Sequence, residues 1–161
     1  MSDPDILDGF KKEGLDILKC MQCGVCSASC PSGRHTSMNV RRLLRRARHD
    51  TDVLRDDTLW MCTTCYTCQE RCPRGINIVD AIFKLRTIAV HEGIMHDSHR
   101  KVSMLLIKHG HAVPINKETM KKRQDLGLDP LPPTVHSYPK ALEEVQTILR
   151  SCGFDELVSE D

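Results

Sequence analysis

The chain has 161 residues, a formal net charge of +1, nine cysteines and only 4% aromatic residues. A net charge this small gives no general reason to expect a nucleic-acid or membrane-surface partner, and no apolar run approaches the roughly 20 residues that span a bilayer. The N-terminus lacks the basic and apolar regions of a signal peptide, so we expect a cytoplasmic protein. In that reducing compartment, clustered cysteines hold metal more often than they form disulfides.

The first predicted element is a helix that begins near residues 3–4 and carries Ile6, Leu7 and Phe10. A short apolar stretch at residues 15–18 then leads into a cluster of four cysteines. After that cluster, apolar residues recur at i, i+3, i+4 and i+7, which is the periodicity of one helix face. These residues are Val40, Leu43, Leu44 and Ala47.

A second cluster of four cysteines precedes a longer predicted helix, with Asn77 as its N-cap and Gly93 at its end. Its predicted apolar stripe consists of Ile78, Val79, Ile82, Phe83, Leu85 and Ala89. The next helix is expected to open at Asp97 or Ser98 and to end at Gly110. Its predicted inner residues are Val102, Leu105 and Leu106.

The C-terminal third contains no further cysteine cluster. Asn116 is expected to cap a short helix that ends at Gly127, and residues 128–139 hold four prolines that predict an irregular connector. Pro139 suits the first turn of a last helix, for which Gly153 is the predicted C-cap. The apolar face of that helix would consist of Ala141, Leu142, Val145, Ile148 and Leu149.

The two cysteine clusters are copies of one another. Adding 42 to each residue number maps Cys20, Cys23, Cys26 and Cys30 onto Cys62, Cys65, Cys68 and Cys72. The same offset maps Pro31 onto Pro73 and Val40 onto Ile82, so the repeated unit is a cysteine loop with the helix that follows it. We therefore predict an all-α fold: a helical two-cluster ferredoxin with a pseudo-two-fold repeat and a helical, proline-interrupted C-terminal extension.

Both clusters have the spacing C-x2-C-x2-C-x3-C-P, which is typical of proteins that bind two 4Fe–4S clusters. Three closely spaced thiolates can wrap one face of a cubane, and in such pairs the fourth cysteine binds the other cluster. Zinc is a weak alternative because its cysteines usually come in pairs from separate knuckles. The predicted ligands are Cys20, Cys23, Cys26 and Cys72 for cluster 1, and Cys62, Cys65, Cys68 and Cys30 for cluster 2.

Other candidate features point to electron transfer rather than to catalysis. The chain offers no nucleophile–base pair, phosphate loop or flavin motif, so no catalytic residue is predicted. The basic run at residues 41–49 has three possible roles. It could be a solvated helix face, a docking patch for an acidic partner, or a source of positive potential that stabilises added electrons. Nucleic acid is not expected there because no stacking aromatics accompany the arginines. Cys152 is expected to be a small buried residue or a free thiol.

Residues 20–34 and 59–75 closely resemble the small iron–sulfur subunit, the C subunit, of heterodisulfide reductase from methanogenic archaea, and residues 131–136 and 141–145 resemble it as well. The cysteine pattern alone also occurs in subunits of succinate dehydrogenase and glycerol-3-phosphate dehydrogenase. The Trp-x-Cys-Thr-Thr-Cys-Tyr-Thr-Cys stretch and the proline-rich tail are more specific.

This resemblance implies a non-catalytic electron-transfer subunit of a multi-subunit oxidoreductase. Such a subunit carries electrons from a flavin-containing subunit to a disulfide-reducing subunit, which reduces the mixed disulfide of coenzymes M and B during methanogenesis. A hydrogenase or a formate dehydrogenase feeds the larger complex. Two alternatives stay open: a relay in a similar complex that acts on another disulfide or thiol, and a free-standing ferredoxin shuttle.

We expect two regions, a ferredoxin-like domain over residues 1–112 and an extension over residues 113–161 that binds a partner. The extension is expected to lie along the disulfide-reducing subunit, because proline-rich segments lose little entropy on docking. Its contacts would be Leu131, Val135, Tyr138, Leu142, Val145 and Leu149. Alternatively, the final helix folds back on the cluster-binding region.

Overall fold

The protein is described by a computed structural model over residues 6–159, and the regular structure of that range is helical, without strands. The start of the predicted first helix therefore lies outside the described residues. The chain divides into two compact units, Met1–Ile94 and Met95–Asp161. This division lies before the boundary expected at residues 112 and 113, because helix Asp97–His109 packs against helix Pro139–Ser151 in the second unit.

The first unit contains five α-helices among its described residues, joined by shorter 3₁₀ segments. The α-helices are α1 (Ile6–Lys12), α2 (Val25–Ala28), α3 (Val40–Arg46), α4 (Thr67–Glu70) and α5 (Ile78–His91). The 3₁₀ segments are Ile17–Lys19, Ser32–Arg34, Thr51–Arg55 and Asp57–Met61. The last two were not predicted from the sequence. Each begins at an aspartate cap: Asp50 accepts from the backbone N–H of Asp52, and Asp56 accepts from that of Thr58.

The core of the first unit is built from side chains of α1, α3 and α5 and of the 3₁₀ segments Thr51–Arg55 and Asp57–Met61, with α5 packed against α1 and both of these segments. The predicted stripe of α3 is buried, and so is most of that of α5. Phe83 is the exception: it is 43% exposed, because it lies at the edge of the stripe, further around the helix than the buried Val79. The largest fully buried side chains are Phe10, Ile17, Val40, Leu43, Leu44, Val53, Leu54, Leu59, Ile78, Val79, Ile82 and Leu85.

The start of α5 is fixed by a different side chain from the one expected. Asn77 occupies the N-cap position, but its side chain caps no backbone N–H. Instead, the backbone N–H of Val79 donates to Gln69 Oε1 at 3.0 Å. Gln69 follows Cys68 in α4, so this bond ties the second cysteine loop to the helix behind it.

The second unit consists of α6 (Asp97–His109), α7 (Lys117–Asp125), α8 (Pro139–Ser151) and α9 (Phe154–Val158) among its described residues, with one 3₁₀ turn, Val135–Ser137, in the connector. Gly110 ends α6 at φ 63°, and Asn116 caps α7 in a reciprocal pair with Thr119, both as predicted. The short α9 was not predicted.

Helix α8 packs against α6, α9 and the 3₁₀ turn of the second unit. Gln146 Nε2 donates to the carbonyl oxygen of Ile107 at 3.1 Å, and Arg100 donates to that of Val158 at 2.9 Å. The packing is shallow, because neither α6 nor α8 buries a side chain completely. Val102 and Ile148, which were expected on inner faces, are therefore exposed, Ile148 by 65%.

Candidate iron–sulfur site

The backbone of the two cysteine loops repeats with the offset seen in the sequence. Helix α4 lies 42 residues after α2, and the two short helices pack against each other. They carry Cys26 and Cys68, which are both buried. Cys20 and Cys62 end 3₁₀ segments with nearly equal φ angles of −66° and −70°. The first and third cysteines of each motif are thus placed alike.

Left-handed residues separate the first three cysteines of each motif. Gly24 has φ 84°, and three other residues also have positive φ: Gln22 at 60°, Thr64 at 55° and Tyr66 at 59°. A left-handed conformation costs a residue with a side chain on the order of 1–2 kcal/mol, and such strain tends to persist at functional sites. Here it curls the loops around their cysteines.

The first motif and the last cysteine of the second motif surround one cavity. Its lining includes Cys20, Cys23, Cys26 and Cys72. Cys26 is buried, Cys20 and Cys72 are half-buried, and Cys23 is exposed at the mouth. The structure thus brings together the four cysteines that the sequence suggested for cluster 1, although their ligation stays a prediction.

Cys30 lies near the cysteines of the second motif. Burial first, and then the negative charges of Cys62, Cys26, Cys30 and Cys65, together raise the pKa of Cys68 to about 11. Cys68 thus has thiols of both motifs within electrostatic range. Thiolates gathered in this way need cationic partners, and bound iron supplies them.

Two hydrogen bonds cross between the motifs in equivalent positions. Ser32 Oγ donates to the carbonyl oxygen of Met61 at 2.6 Å, and Arg74 Nε donates to that of Lys19 at 3.3 Å. Ser32 and Arg74 are related by the offset of 42, and so are Lys19 and Met61. Each bond joins the residue two places after the fourth cysteine of one motif to the residue before the first cysteine of the other.

An arginine holds the start of each cysteine loop. Arg48 donates to the carbonyl oxygens of Leu18 and Cys20, at 2.9 and 3.3 Å. In the second motif, Arg86 Nη2 donates to those of Leu59 and Cys62 at 2.9 and 2.8 Å. Sequence reasoning missed both roles, because the two arginines are not separated by the repeat offset.

The Arg86 guanidinium lies against the second loop. Its Cζ lies 5.6 Å from the centre of the Trp60 ring, and Arg86 is half-buried. Burial lowers the pKa of Arg86, and the negative charge of Cys62 opposes that change. A positive charge therefore stands beside the first cysteine of the second motif.

Two N–H groups donate to cysteine sulfurs. The backbone N–H of Gly33 donates to Cys30 Sγ at 3.4 Å, and Gln22 Nε2 donates to Cys20 Sγ at 3.3 Å. A Cβ on Gly33 would stand 2.7 Å from the carbonyl oxygen of Met38, so only glycine fits there without a shift. Hydrogen bonds of this kind to ligand sulfurs set cluster potentials.

Sulfur donors in this arrangement fit an iron–sulfur cluster. Among residues 6–159, no three histidine, cysteine or carboxylate side chains converge closely enough to hold a single metal ion. The ligands of a cubane cluster do not have to converge on one ion, because each of the four cysteines binds a separate iron. The thiols around the cavity supply the soft ligands that such a cluster requires.

Comparison with known proteins identifies the family. Residues 16–76 match the family model described as a 4Fe-4S dicluster domain. Over 157 residues, the chain is 58% identical to the C subunit of the Ferredoxin:CoB-CoM heterodisulfide reductase of Methanosarcina mazei, an alignment that covers 97% of this chain and 98% of that protein. The chain belongs to the family of heterodisulfide reductase C subunits.

Further C subunits show the same relationship. The iron-sulfur C subunit of the CoB--CoM heterodisulfide reductase of Methanopyrus kandleri is 50% identical over 94% of this chain and 80% of its own length. The C subunit of the H(2):CoB-CoM heterodisulfide,ferredoxin reductase of Methanothermobacter marburgensis is 48% identical over 97% of this chain and 86% of its own length. As a C subunit with a dicluster domain, the chain carries two 4Fe–4S clusters and has an electron-transfer role in a multi-subunit reductase.

The remaining sequence candidates have mixed outcomes. Cys152 is a free thiol at the end of α8, exposed rather than buried, and its Sγ donates to the carbonyl oxygen of Leu149. Within the basic run, Arg46 forms ion pairs with Asp50 and Asp56, so this arginine serves the fold. Arg41, Arg42 and Arg45 remain exposed. Among residues 6–159, no helix has the length and apolarity needed to cross a membrane.

Proposed function

We propose that this chain relays electrons between two other subunits of heterodisulfide reductase in the cytoplasm, from the flavin-containing subunit to the disulfide-reducing subunit. The latter would then reduce the coenzyme M–coenzyme B heterodisulfide, and a hydrogenase or a formate dehydrogenase would supply the electrons. The observation that carries the proposal is the cavity where Cys72 joins Cys20, Cys23 and Cys26, in a chain that matches the C subunits of known reductases almost end to end.

We further propose the crossed ligand sets suggested by the spacing. Cluster 1 would be held by Cys20, Cys23, Cys26 and Cys72, and cluster 2 by Cys62, Cys65, Cys68 and Cys30. The shared cavity supports the first set. The hydrogen bond from Ser32 to Met61, which joins the end of the first motif to the start of the second, supports the second set.

The clusters, when bound, accept and release single electrons. The chain fixes where this happens. The left-handed loops orient the thiols, and the buried Cys26 and Cys68 lie on two short helices that pack against each other, so the two proposed sites would stand side by side. The apolar core behind them keeps water away from one side of each site, while Cys23 and Cys65 are exposed on the other. The mechanism is therefore electron passage without a catalytic side chain.

Two alternatives keep the same site chemistry: a relay in a complex that reduces another disulfide or thiol, and a free-standing shuttle. Against the shuttle stands the second unit, which contains none of the proposed ligands and yet leaves apolar side chains such as Leu131, Tyr138 and Ile148 exposed. A shuttle has no need of such a surface, whereas a protein that assembles into a complex uses it for contacts.

Reconstitution from purified components tests the proposed relay. The flavin-containing and disulfide-reducing subunits are mixed anaerobically with the heterodisulfide and a reductant for the flavin, with and without this chain in its loaded form. We expect disulfide reduction to require the chain. A chain with Cys152→Ser is the matched control and should support the same rate. An equal rate without the chain would overturn the relay, and a requirement seen only with another disulfide would favour the first alternative.

A further inference from the structure

The mouth of the cavity that holds Cys20, Cys23, Cys26 and Cys72 is bordered by exposed apolar side chains. Met21 is 59% exposed and Val25 is 38% exposed, and both line this cavity together with the exposed Cys23. Adjoining exposed apolar side chains commonly mark a binding surface. A partner that covered them would come next to a proposed cluster ligand.

The same mouth carries two cationic side chains. Arg41 and Arg74 are both exposed and, apart from the cysteines, they are the only ionisable residues among those that line the cavity, all of which lie in the described part of the chain. Arg74 is held in place by its hydrogen bond to the carbonyl oxygen of Lys19. The side chain of Arg41 passes close to Gly24, where an added Cβ would lie 3.8 Å from Arg41 Cδ. The two cations are therefore positioned at the border.

We propose that this surface, the cationic rim formed by Met21, Cys23, Val25, Arg41 and Arg74, docks the acidic face of the redox protein that exchanges electrons with the cluster in this cavity. The proposal rests on the proposed relay function. It adds the docking surface, and the chemistry of the partner, at the side of the protein next to cluster 1. One electron leaves the reduced centre of one protein and reduces the centre of the other, without a bond or a proton being transferred.

The composition of the rim favours a protein partner. An apolar centre with charges around it is the usual arrangement of a protein interface, in which the charges orient the partners and speed their encounter. Arg41 and Arg74 would attract carboxylates, and Met21 would supply an adaptable apolar contact. Cys23, a proposed ligand of cluster 1, lies within this surface. A partner that docks here is therefore next to the cluster with which it exchanges electrons.

The test uses the full-length chain with both clusters loaded, and the purified flavin-containing and disulfide-reducing subunits as separate probes. Binding is measured anaerobically over a range of NaCl concentrations. We expect one of the two probes to bind more weakly as salt rises, and we expect Arg41→Glu to weaken that binding by about tenfold at low salt. Arg41→Lys should bind like the wild type, and Met21→Glu should weaken binding as Arg41→Glu does.

The matched control is Arg55→Glu, which makes the same charge change at an exposed arginine that does not line the cavity. It should leave the affinity within about threefold of the wild type. Iron content and electron paramagnetic resonance spectra show whether each variant keeps both clusters. If Arg41→Glu loses a cluster, the binding measured with Met21→Glu tests the proposal instead. The side chain of Met21 is exposed, so replacing it should not disturb the loop.

Three results would count against the cationic rim. Arg41→Glu and Met21→Glu could bind both probes like the wild type, or Arg55→Glu could weaken binding equally. The rim could also bind anionic phospholipid vesicles, while the affinity for both protein probes is unchanged by Arg41→Glu. In each case the wild type still binds its partners and the relay stands. A wild-type chain that binds neither probe would instead refute the proposed function, and the rim with it.

Discussion

Arg86 joins a structural and an electrostatic role in one side chain. Its guanidinium donates to the carbonyl oxygens of Leu59 and Cys62, and it is half-buried above the Trp60 ring. Leaving such acceptors unpaired costs about 1–3 kcal/mol, so the contact helps to fix the second loop. Because the charge is partly withdrawn from water, it also acts on nearby groups more strongly than an exposed arginine would.

We predict that Arg86→Gln lowers the reduction potential of the cluster in the second motif, because a positive charge stabilises an added electron. The glutamine keeps a hydrogen-bond donor but removes the charge. Redox titration followed by electron paramagnetic resonance should show a decrease of tens of millivolts, where about 59 mV is a tenfold change in a one-electron equilibrium. Arg45→Gln, at an exposed position of α3, should leave the potential unchanged. An unaltered potential in Arg86→Gln would assign the residue a structural role alone.

The crossed ligation can be tested with pairs of substitutions. If Cys30 and Cys62 hold the same cluster, replacing both with serine destroys one cluster and leaves the other, so about four irons should remain. Replacing Cys30 and Cys20 together should instead damage both clusters. Iron analysis and electron paramagnetic resonance of the anaerobic proteins measure this, with Cys152→Ser as the control that keeps about eight irons. The reverse pattern would show that each motif holds its own cluster.

At the scale of elements, Gly110 joins the end of α6 to the proline-rich connector. It has φ 63°, and a Cβ there would overlap Val135 Cγ2 and stand 3.2 Å from Leu142 Cδ1. The close approach lets the 3₁₀ turn Val135–Ser137 and α8 pack beside α6. The glycine is therefore required for its missing side chain as well as for its backbone angle.

We predict that Gly110→Ala destabilises the second unit by more than the roughly 1 kcal/mol that a left-handed alanine costs. Gly127→Ala is the matched control, because Gly127 has φ 73° but nothing within 4 Å of an added Cβ. Adding Val135→Ala to Gly110→Ala should restore much of the difference. Hydrogen exchange of α6 and α8 measures the effect, and equal protection in the two glycine variants would contradict it.

Helices with a periodic apolar face or a clear cap or glycine stop were predictable, and the short 3₁₀ segments without these signals were not. The periodic apolar residues of α3 and α5 predict helices that the structure confirms, and so do Asn116 before α7 and Gly110 after α6. The 3₁₀ segments Thr51–Arg55 and Asp57–Met61 have no such periodicity. They are held by aspartate caps and by Arg46, which pairs with Asp50 and Asp56 across the turn.

At the scale of the whole molecule, the proposed ligands all lie in the first unit. We predict that a chain cut after Ile94 still binds about eight irons but assembles more weakly with its partner proteins, because it keeps the cationic rim and loses the contacts of the second unit. A cut after Gly110 would leave α6 without α8 and is a poorer design. Iron content and size-exclusion chromatography with the flavin-containing and disulfide-reducing subunits give the result.

The full-length chain loaded in parallel is the control for this truncation. Should the shortened chain assemble as well as the full-length chain, the role of the second unit as a partner-binding region would be refuted. Should it lose its clusters, the second unit would have to be part of what stabilises them, and the expectation that the final helix supports the cluster-binding region would regain support.

Much of the candidate site was predictable at this scale, because eight cysteines in two equal patterns leave few arrangements open. The sequence could not indicate the exchanged hydrogen bonds of Ser32 and Arg74 or the positions of Arg48 and Arg86. An arginine has the same local sequence pattern whether it faces water or holds a distant carbonyl oxygen. Only the folded chain distinguishes the two cases.

The cavity shared by Cys20 and Cys72 also has a consequence for how the protein is made. A ribosome that has released only the first motif presents three thiols whose fourth neighbour has not yet been translated. If Cys72 completes cluster 1 as proposed, stable insertion of that cluster waits until Pro73 and Arg74 have emerged and closed the cavity. Both clusters would then become insertable within the same short interval of synthesis, which would leave little time for a half-loaded, oxygen-sensitive intermediate.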